Sequence, residues 1–308
     1  PDVLLLTETN VPNGENLSYF GNSDEAHIVY QFALPPLLLH ALHRGNAGYL
    51  SRWCRDTPRP LKGCTYLNFA ASHDGIGLRP VDGILPEWEV AELIDAMRRY
   101  GGFVGMKSDG NGKESPYEIN ISLFDALGGT VAGQDQWQVQ RFLCSQVMFL
   151  AIQGIPAVYI HSLFATPNHL QGVEQTGQTR AINRRKWDAD ELAALLDNPS
   201  SPNASVFSEL TRVLQLRRHQ PAFHPDGLQE TLHIGPSLFA LWRTSPDGRQ
   251  RILAVSNVTH RQQPLAVKDQ WQDGSFHPWY DLLSGQHTSA EIEELVLQPY
   301  QTVWLVAC

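Results

Sequence analysis

Chemically capable side chains follow an apolar run at two places in this 308-residue sequence. Glu8 closes residues 3–7, in Leu4-Leu5-Leu6-Thr7-Glu8-Thr9-Asn10, and His73-Asp74 closes residues 65–71, before Gly75. Where such runs are parallel strands joined by helices, their C-terminal ends carry the reactive groups. A carboxylate at the mouth of an apolar strand is partly desolvated, which favours its protonated form and suits a general acid. A second carboxylate beside a histidine can stay ionised and stabilise an oxocarbenium ion. Carboxylates paired in this way serve glycosyl transfer. Each position also has a plainer reading, Glu8 as a capping or surface residue and His-Asp-Gly as a turn. From the residues alone the two readings stand level.

The elements that must hold these groups are legible in the hydrophobic pattern. Residues 3–7, 26–32, 65–71 and 157–161 read as buried strands, with helical periodicity at 87–100 and 138–152 between them. Strand followed by helix, repeated, implies a parallel sheet with crossover helices. Segments 79–87 and 107–133 are expected to be long loops, and long loops in compact domains are usually functional. A helix at 206–219 leads to short alternating strands at 231–234, 238–243, 251–256, 263–267 and 302–307, an antiparallel β-domain.

Composition narrows the partners. Net charge is −9 and no long basic run occurs, which argues against nucleic acid and anionic membrane surfaces. No apolar stretch is long enough to span a bilayer. The four cysteines, Cys54, Cys64, Cys144 and Cys308, show no CxxC spacing, and a reduced, cytoplasmic protein is expected, with a Cys54–Cys64 disulfide as the alternative. Neither a phosphate-binding glycine loop nor a zinc-ligand cluster is present, so no cofactor and no metal are expected.

Thr7-Glu8-Thr9-Asn10 and Ala71-Ser72-His73-Asp74-Gly75-Ile76-Gly77 resemble two signature regions of the α-amylase family, the second that of its sucrose phosphorylase branch. Ser115-Pro116-Tyr117-Glu118-Ile119-Asn120 resembles the branch's substrate loop, and Gly154-Ile155-Pro156-Ala157-Val158-Tyr159 its final barrel strand. Arg180-Ala181-Ile182-Asn183-Arg184 and Leu216-Arg217-Arg218-His219-Gln220-Pro221-Ala222-Phe223 resemble two further stretches, in the same order.

The resemblance implies an α/β fold: the second half of a (β/α)8 TIM-type barrel, residues 1–228 with an inserted region 107–133, then a C-terminal antiparallel β-domain, residues 229–308. It implies a retaining glucosyl phosphorylase that passes glucose from a small glucoside to inorganic phosphate. Glu8 would be the general acid/base and Asp74 the transition-state stabiliser. His73 would contact the glucosyl ring, Tyr117 the acceptor side, and Arg217 phosphate or acceptor. Sucrose phosphorylases usually carry Gln where this chain has Glu118. A carboxylate only accepts hydrogen bonds and repels phosphate, so Glu118 is expected to steer acceptor choice; the loop resembles more closely that of relatives using glucosylglycerate, which implies glycerate as the acceptor. Arg180, Arg184 and Arg185 are candidates to meet an anionic acceptor. The family's nucleophile is an Asp in a Gly-x-Arg-x-Asp pattern, and no such segment occurs here. The chain is therefore expected to be a C-terminal fragment, inactive alone, whose open sheet edges favour dimers or aggregates. A hydrolase or transglucosylase of the same superfamily is the alternative enzyme. A non-catalytic carbohydrate-binding fragment is the alternative outside enzymes.

Overall fold

The computed structural model describes residues 3–108, 112, 114–267, 278–288 and 293–307. Four short strands form a parallel sheet in chain order: Leu6–Thr7, Ile28–Tyr30, Thr65–Asn68 and Ile155–Pro156. The register pairs Thr7 with Val29, Val29 with Tyr66, and Leu67 with Ile155. Helices Leu34–Arg44 and Gly48–Asp56 connect the second strand to the third, and Glu87–Arg99 and Gln138–Ala151 lie between the third and fourth. Leu34–Arg44 starts on two prolines, whose fixed φ suits a first turn, and ends at Gly45 with φ 59°. Its residues from Leu34 to His43 are all buried. Gln138–Ala151 is nearly as apolar and packs against it, forming the centre of the main core.

After residue 227 six strands make an antiparallel sheet, with Arg251–Asn257 between Leu238–Thr244 and Thr302–Ala307. Side chains alternate between its two faces. Phe239, Leu241, Ile252, Ala254 and Trp304 join the main core; Leu238, Trp242, Leu253, Val303 and Leu305 build a second one. The sheet is thus sealed onto helix Gln138–Ala151, and ring centroids of Phe223 and Trp304 are 4.6 Å apart at the junction.

Several sequence expectations shift. The fourth strand pairs at Ile155–Pro156, with Ala157 N–H donating to Asn68 O at 2.8 Å, and residues 160–163 turn into the helix Ile160–Leu163. Segment 107–133 is not an irregular loop. Phe103–Ser108 and Glu114–Asn120 form a hairpin with Ile76–Gly77 as its third strand. A bulge at Gly105/Met106 and mostly exposed side chains hid the alternation. Segment 79–87 holds the 3₁₀ turn Arg79–Val81. The long helix begins at Pro202, capped by Ser201 Oγ accepting from Ala204 N–H at 2.9 Å. Cys54, Cys64 and Cys144 are free and buried, so the Cys54–Cys64 disulfide does not form. No helix among the described residues is long and apolar enough to cross a membrane.

Arg217 is the principal correction. Its Nε donates to Leu150 O at 2.7 Å and its Nη2 to Phe223 O at 3.1 Å. Arg243 donates to Ala151 O at 2.8 Å and to His224 O at 2.9 Å. The two guanidinium groups cap the carbonyls at the C-terminus of helix Gln138–Ala151, where unpaired acceptors and the helix dipole favour cations. Burial lowers the Arg217 pKa to about 10 and, with the Arg217 charge beside it, that of Arg243 to about 9. Arg217 is therefore engaged with backbone carbonyls within residues 1–228 instead of facing a ligand, and it is Arg243, from the antiparallel sheet, that reaches across to the helix. Arg217→Met should leave two buried carbonyls unpaired and cost about 1–3 kcal/mol. Urea unfolding should show the midpoint falling; an unchanged midpoint would return Arg217 to the list of ligand contacts.

Candidate functional site

The first and third parallel strands deliver Glu8 and His73-Asp74 to the same end of the sheet. One polar atom from each of Glu8, His73 and Asp74 lies within 4.8 Å of the others. The chain reaches this arrangement through tight glycine contacts. A Cβ on Gly75 would stand 2.8 Å from Ile119 O and 3.0 Å from Glu118 Cδ, and one on Gly77 would stand 2.6 Å from Asn10 Oδ1. Gly75 lets the loop bearing Asp74 lie on strand Glu114–Asn120, and Gly77 lets it pass the loop after Glu8.

Asp74 is fixed by two cations from the 3₁₀ turn Thr179–Asn183 and its neighbour. Arg180 Nη1 donates to Asp74 Oδ1 at 2.7 Å and Arg184 Nη2 to the same oxygen at 3.1 Å. Arg184 Nε also donates to His73 O at 2.7 Å, and Asn183 Nδ2 to Asp74 O at 3.0 Å. Glu118 is buried and takes Arg180 on both oxygens, at 2.9 and 2.8 Å. Arg180 is thus forked between two carboxylates, and their partnership raises its pKa, the hydrogen bonds it donates to Glu118 contributing most. Arg185, by contrast, pairs with Glu191 at 2.6 Å and sits 3.8 Å from the Trp187 ring centroid.

The remaining sequence candidates divide. Glu8 is exposed, so it lacks the desolvation expected of a strand-end acid. Tyr117 and Glu118 are consecutive in a strand and take opposite faces. Tyr117 lines a cleft of about 660 Å³ with Arg79, Asp82 and Lys107, while Glu118 turns to Arg180. Two tyrosines went unnoticed in the sequence. Burial raises the pKa of Tyr30, and the Glu8 charge adds to it. Burial likewise raises that of Tyr159, where Arg184 opposes and Asp74 reinforces the shift. Strand-end position was the available signal for Tyr30; Tyr159 instead is the N-cap residue of the helix Ile160–Leu163.

Buried polar atoms without a partner among the described residues gather beside these groups: Thr9 Oγ1, Asn10 Oδ1, both amide atoms of Asn120 and Asn183 Oδ1. Atoms buried to this degree are met by ordered water or by neighbouring side chains rather than by a ligand from solvent. By spacing alone Glu8, His73 and Asp74 could hold a cation. Two arginines already supply positive charge at Asp74, which opposes that use.

No protein-family model matches the chain. It is 40% identical, over 99% of its length, to a glucosylglycerate phosphorylase of Spirochaeta thermophila. The match spans 53% of that relative, so the chain covers about half the length of the curated protein. The sucrose 6F-phosphate phosphorylase of Thermoanaerobacter thermosaccharolyticum superposes with TM-score 0.69 at 20% identity, over 83% of this chain and 48% of that one. An α-amylase from H. orenii superposes with TM-score 0.63 at 13% identity, over 99% of this chain and 54% of that one. At these identities the structural likeness speaks for the fold alone.

Gly75→Ala should force the Asp74 loop off the hairpin strand and cost about 1–3 kcal/mol by overpacking. Gly14, whose Cβ would meet nothing within 4 Å, is the control. Thermal unfolding should show Gly75→Ala melting several degrees lower, by about 2–8 °C, and Gly14→Ala unchanged or higher. Equal midpoints would contradict the close packing that places Asp74.

Proposed function

Because the chain belongs to the α-amylase superfamily, in the branch of the sucrose and glucosylglycerate phosphorylases, we propose that the protein carrying it is a glucosyl phosphorylase. The observation that carries this reading is the convergence of Glu8, His73 and an Asp74 held by two arginines. We read the four parallel strands as part of an eight-stranded (β/α) barrel. The apolar, largely exposed Val3–Leu6 run at the outer strand supports that reading, since barrel strands have neighbours on both sides. The same surface supports self-association of the isolated chain. We divide the chain at residues 1–228 and 229–308, where the antiparallel sheet begins. Free buried thiols favour a cytoplasmic setting.

The chemistry follows from what each group can do. In the first step the bond between the glucosyl anomeric carbon and the glycoside oxygen breaks. Glu8 gives its proton to the departing oxygen, and the anomeric carbon becomes an ester of an enzyme carboxylate. Asp74, its Oδ1 held by Arg180 and Arg184, stabilises the positive charge on the ring. His73, exposed beside Asp74, meets a ring hydroxyl. In the second step a phosphate oxygen attacks the anomeric carbon, the bond from that carbon to the carboxylate oxygen breaks and frees the enzyme carboxylate, and Glu8 takes the phosphate proton, giving α-glucose 1-phosphate with configuration retained. No carboxylate of this chain is assigned the nucleophile's role. Resemblance to the glucosylglycerate phosphorylases makes glycerate the favoured acceptor, with Tyr117 on the acceptor side.

The test uses the whole protein with glucosylglycerate and inorganic phosphate. Glucose 1-phosphate should form in proportion to phosphate. Glu8→Gln should lower kcat by about 10²–10⁴-fold while glucoside binding persists. Free glucose released at a rate indifferent to phosphate would favour a hydrolase. An unchanged kcat in Glu8→Gln would remove Glu8 from the mechanism. Binding without turnover would favour a carbohydrate-binding role.

A further inference from the structure

The bidentate pair between Glu118 and Arg180 carries a consequence for how Asp74 works, resting on the glucosyl-transfer reading above. Glu118 is 7% exposed, and both of its oxygens accept from one guanidinium. It is also enclosed by backbone. A Cβ on Gly75 would lie 3.0 Å from its Cδ, and one on Gly105 would lie 3.1 Å from its Cγ. Little space is left for an acceptor to reach the carboxylate. The third arm of the same guanidinium, Nη1, meets Asp74 Oδ1 at 2.7 Å.

We infer that Glu118 is a positioning residue, which orients Arg180 on Asp74 and does not itself contact the acceptor. A guanidinium is a rigid planar fork, so holding Nε and Nη2 fixes the direction of Nη1. Glu118 also balances the charge. With Glu118 ionised, Arg180 divides its positive charge between two carboxylates, and Asp74 keeps more of its negative potential for the glucosyl cation. An amide at this position would offer one acceptor oxygen, and its NH₂ would face a donor. One arm of the fork would be released, and the full Arg180 charge would fall on Asp74. Acceptor preference among proteins that differ here would then arise indirectly, through how firmly Arg180 is held.

The experiment uses the whole protein with α-glucosyl fluoride, a donor that needs no acceptor beyond water and little acid assistance. Glu118→Gln should lower kcat for fluoride release on the order of 10- to 100-fold, the scale of a small displacement of a catalytic group. KM for phosphate and for glycerate should stay unchanged, and thermal unfolding should show the variant folded. Arg180→Lys should lower kcat similarly, and the double variant should be no slower than the slower single one, because the two residues act as one unit. Fluoride release at the parental rate, with change confined to the KM of the acceptor, would overturn the inference. Should the parental protein release no fluoride, the glucosyl-transfer reading is what fails, and a crystal structure of Glu118→Gln decides the inference alone. Asp74 Oδ1 drawn out of contact with Arg180 Nη1 would support it; a pair unmoved at 2.7 Å would overturn it.

Discussion

The guanidinium of Arg180 is the contact on which the site's geometry depends. It bridges a turn late in the chain to two carboxylates that come from different elements, Asp74 after the third parallel strand and Glu118 in the hairpin. Without that bridge buried Glu118 would lose the guanidinium that meets both its oxygens, and Asp74 would keep only Arg184. Desolvation would then favour the protonated form of the buried acid. Arg184 adds a second cation to the same Asp74 oxygen and ties it to the His73 carbonyl. Asp74 is therefore oriented before any ligand arrives, which is what electrostatic stabilisation of a developing charge requires.

The rest of the fold keeps this assembly rigid. Helix Gln138–Ala151 packs against helix Leu34–Arg44 and the antiparallel sheet and is capped at its C-terminus by Arg217 and Arg243, side chains that also reach the carbonyls of Phe223 and His224. Its Arg141 is fully buried, paired with Asp135, and donates to Tyr300 Oη at 3.0 Å. Arg141 near one end and Arg243 at the other thus tie the C-terminal, antiparallel part of the chain to a single helix. The apolar contact of Phe223 on Trp304 excludes water from one of those junctions, which strengthens the hydrogen bonds there.

What the sequence made legible was whatever hydrophobic pattern and strand-end position determine. The first three parallel strands and the helices at 87–99 and 138–151 were readable because apolar residues run together or recur at helical spacing, although the first strand is exposed where double-sided burial was expected. The hairpin Phe103–Ser108/Glu114–Asn120 was not, since most of its side chains up to Pro116 are exposed, its bulge breaks the period, and two of the three residues buried at its end are the polar Glu118 and Asn120. Arginines were the least legible residues. Arg180, Arg184, Arg185 and Arg217 look alike in sequence, yet two clamp Asp74, one stacks on Trp187 beside Glu191, and one caps a helix. Their long side chains take a role from distant neighbours, and only tertiary structure decides which. Gly-Ile-Gly was recognised as a resemblance before its cause was visible: each glycine admits a neighbour that a Cβ would strike.

The account stands on Glu8 and Asp74 sharing one site, with Asp74 held in place by Arg180. A crystal structure of the whole protein measures this directly, because it adds whatever neighbours the outer strand Leu6–Thr7 takes. We expect polar atoms of Glu8, His73 and Asp74 to remain within the present 4.8 Å of one another, and Arg180 to stay forked between Asp74 and Glu118. A Glu8 carboxylate turned out of the sheet's mouth, or an Asp74 released from both arginines, would contradict it.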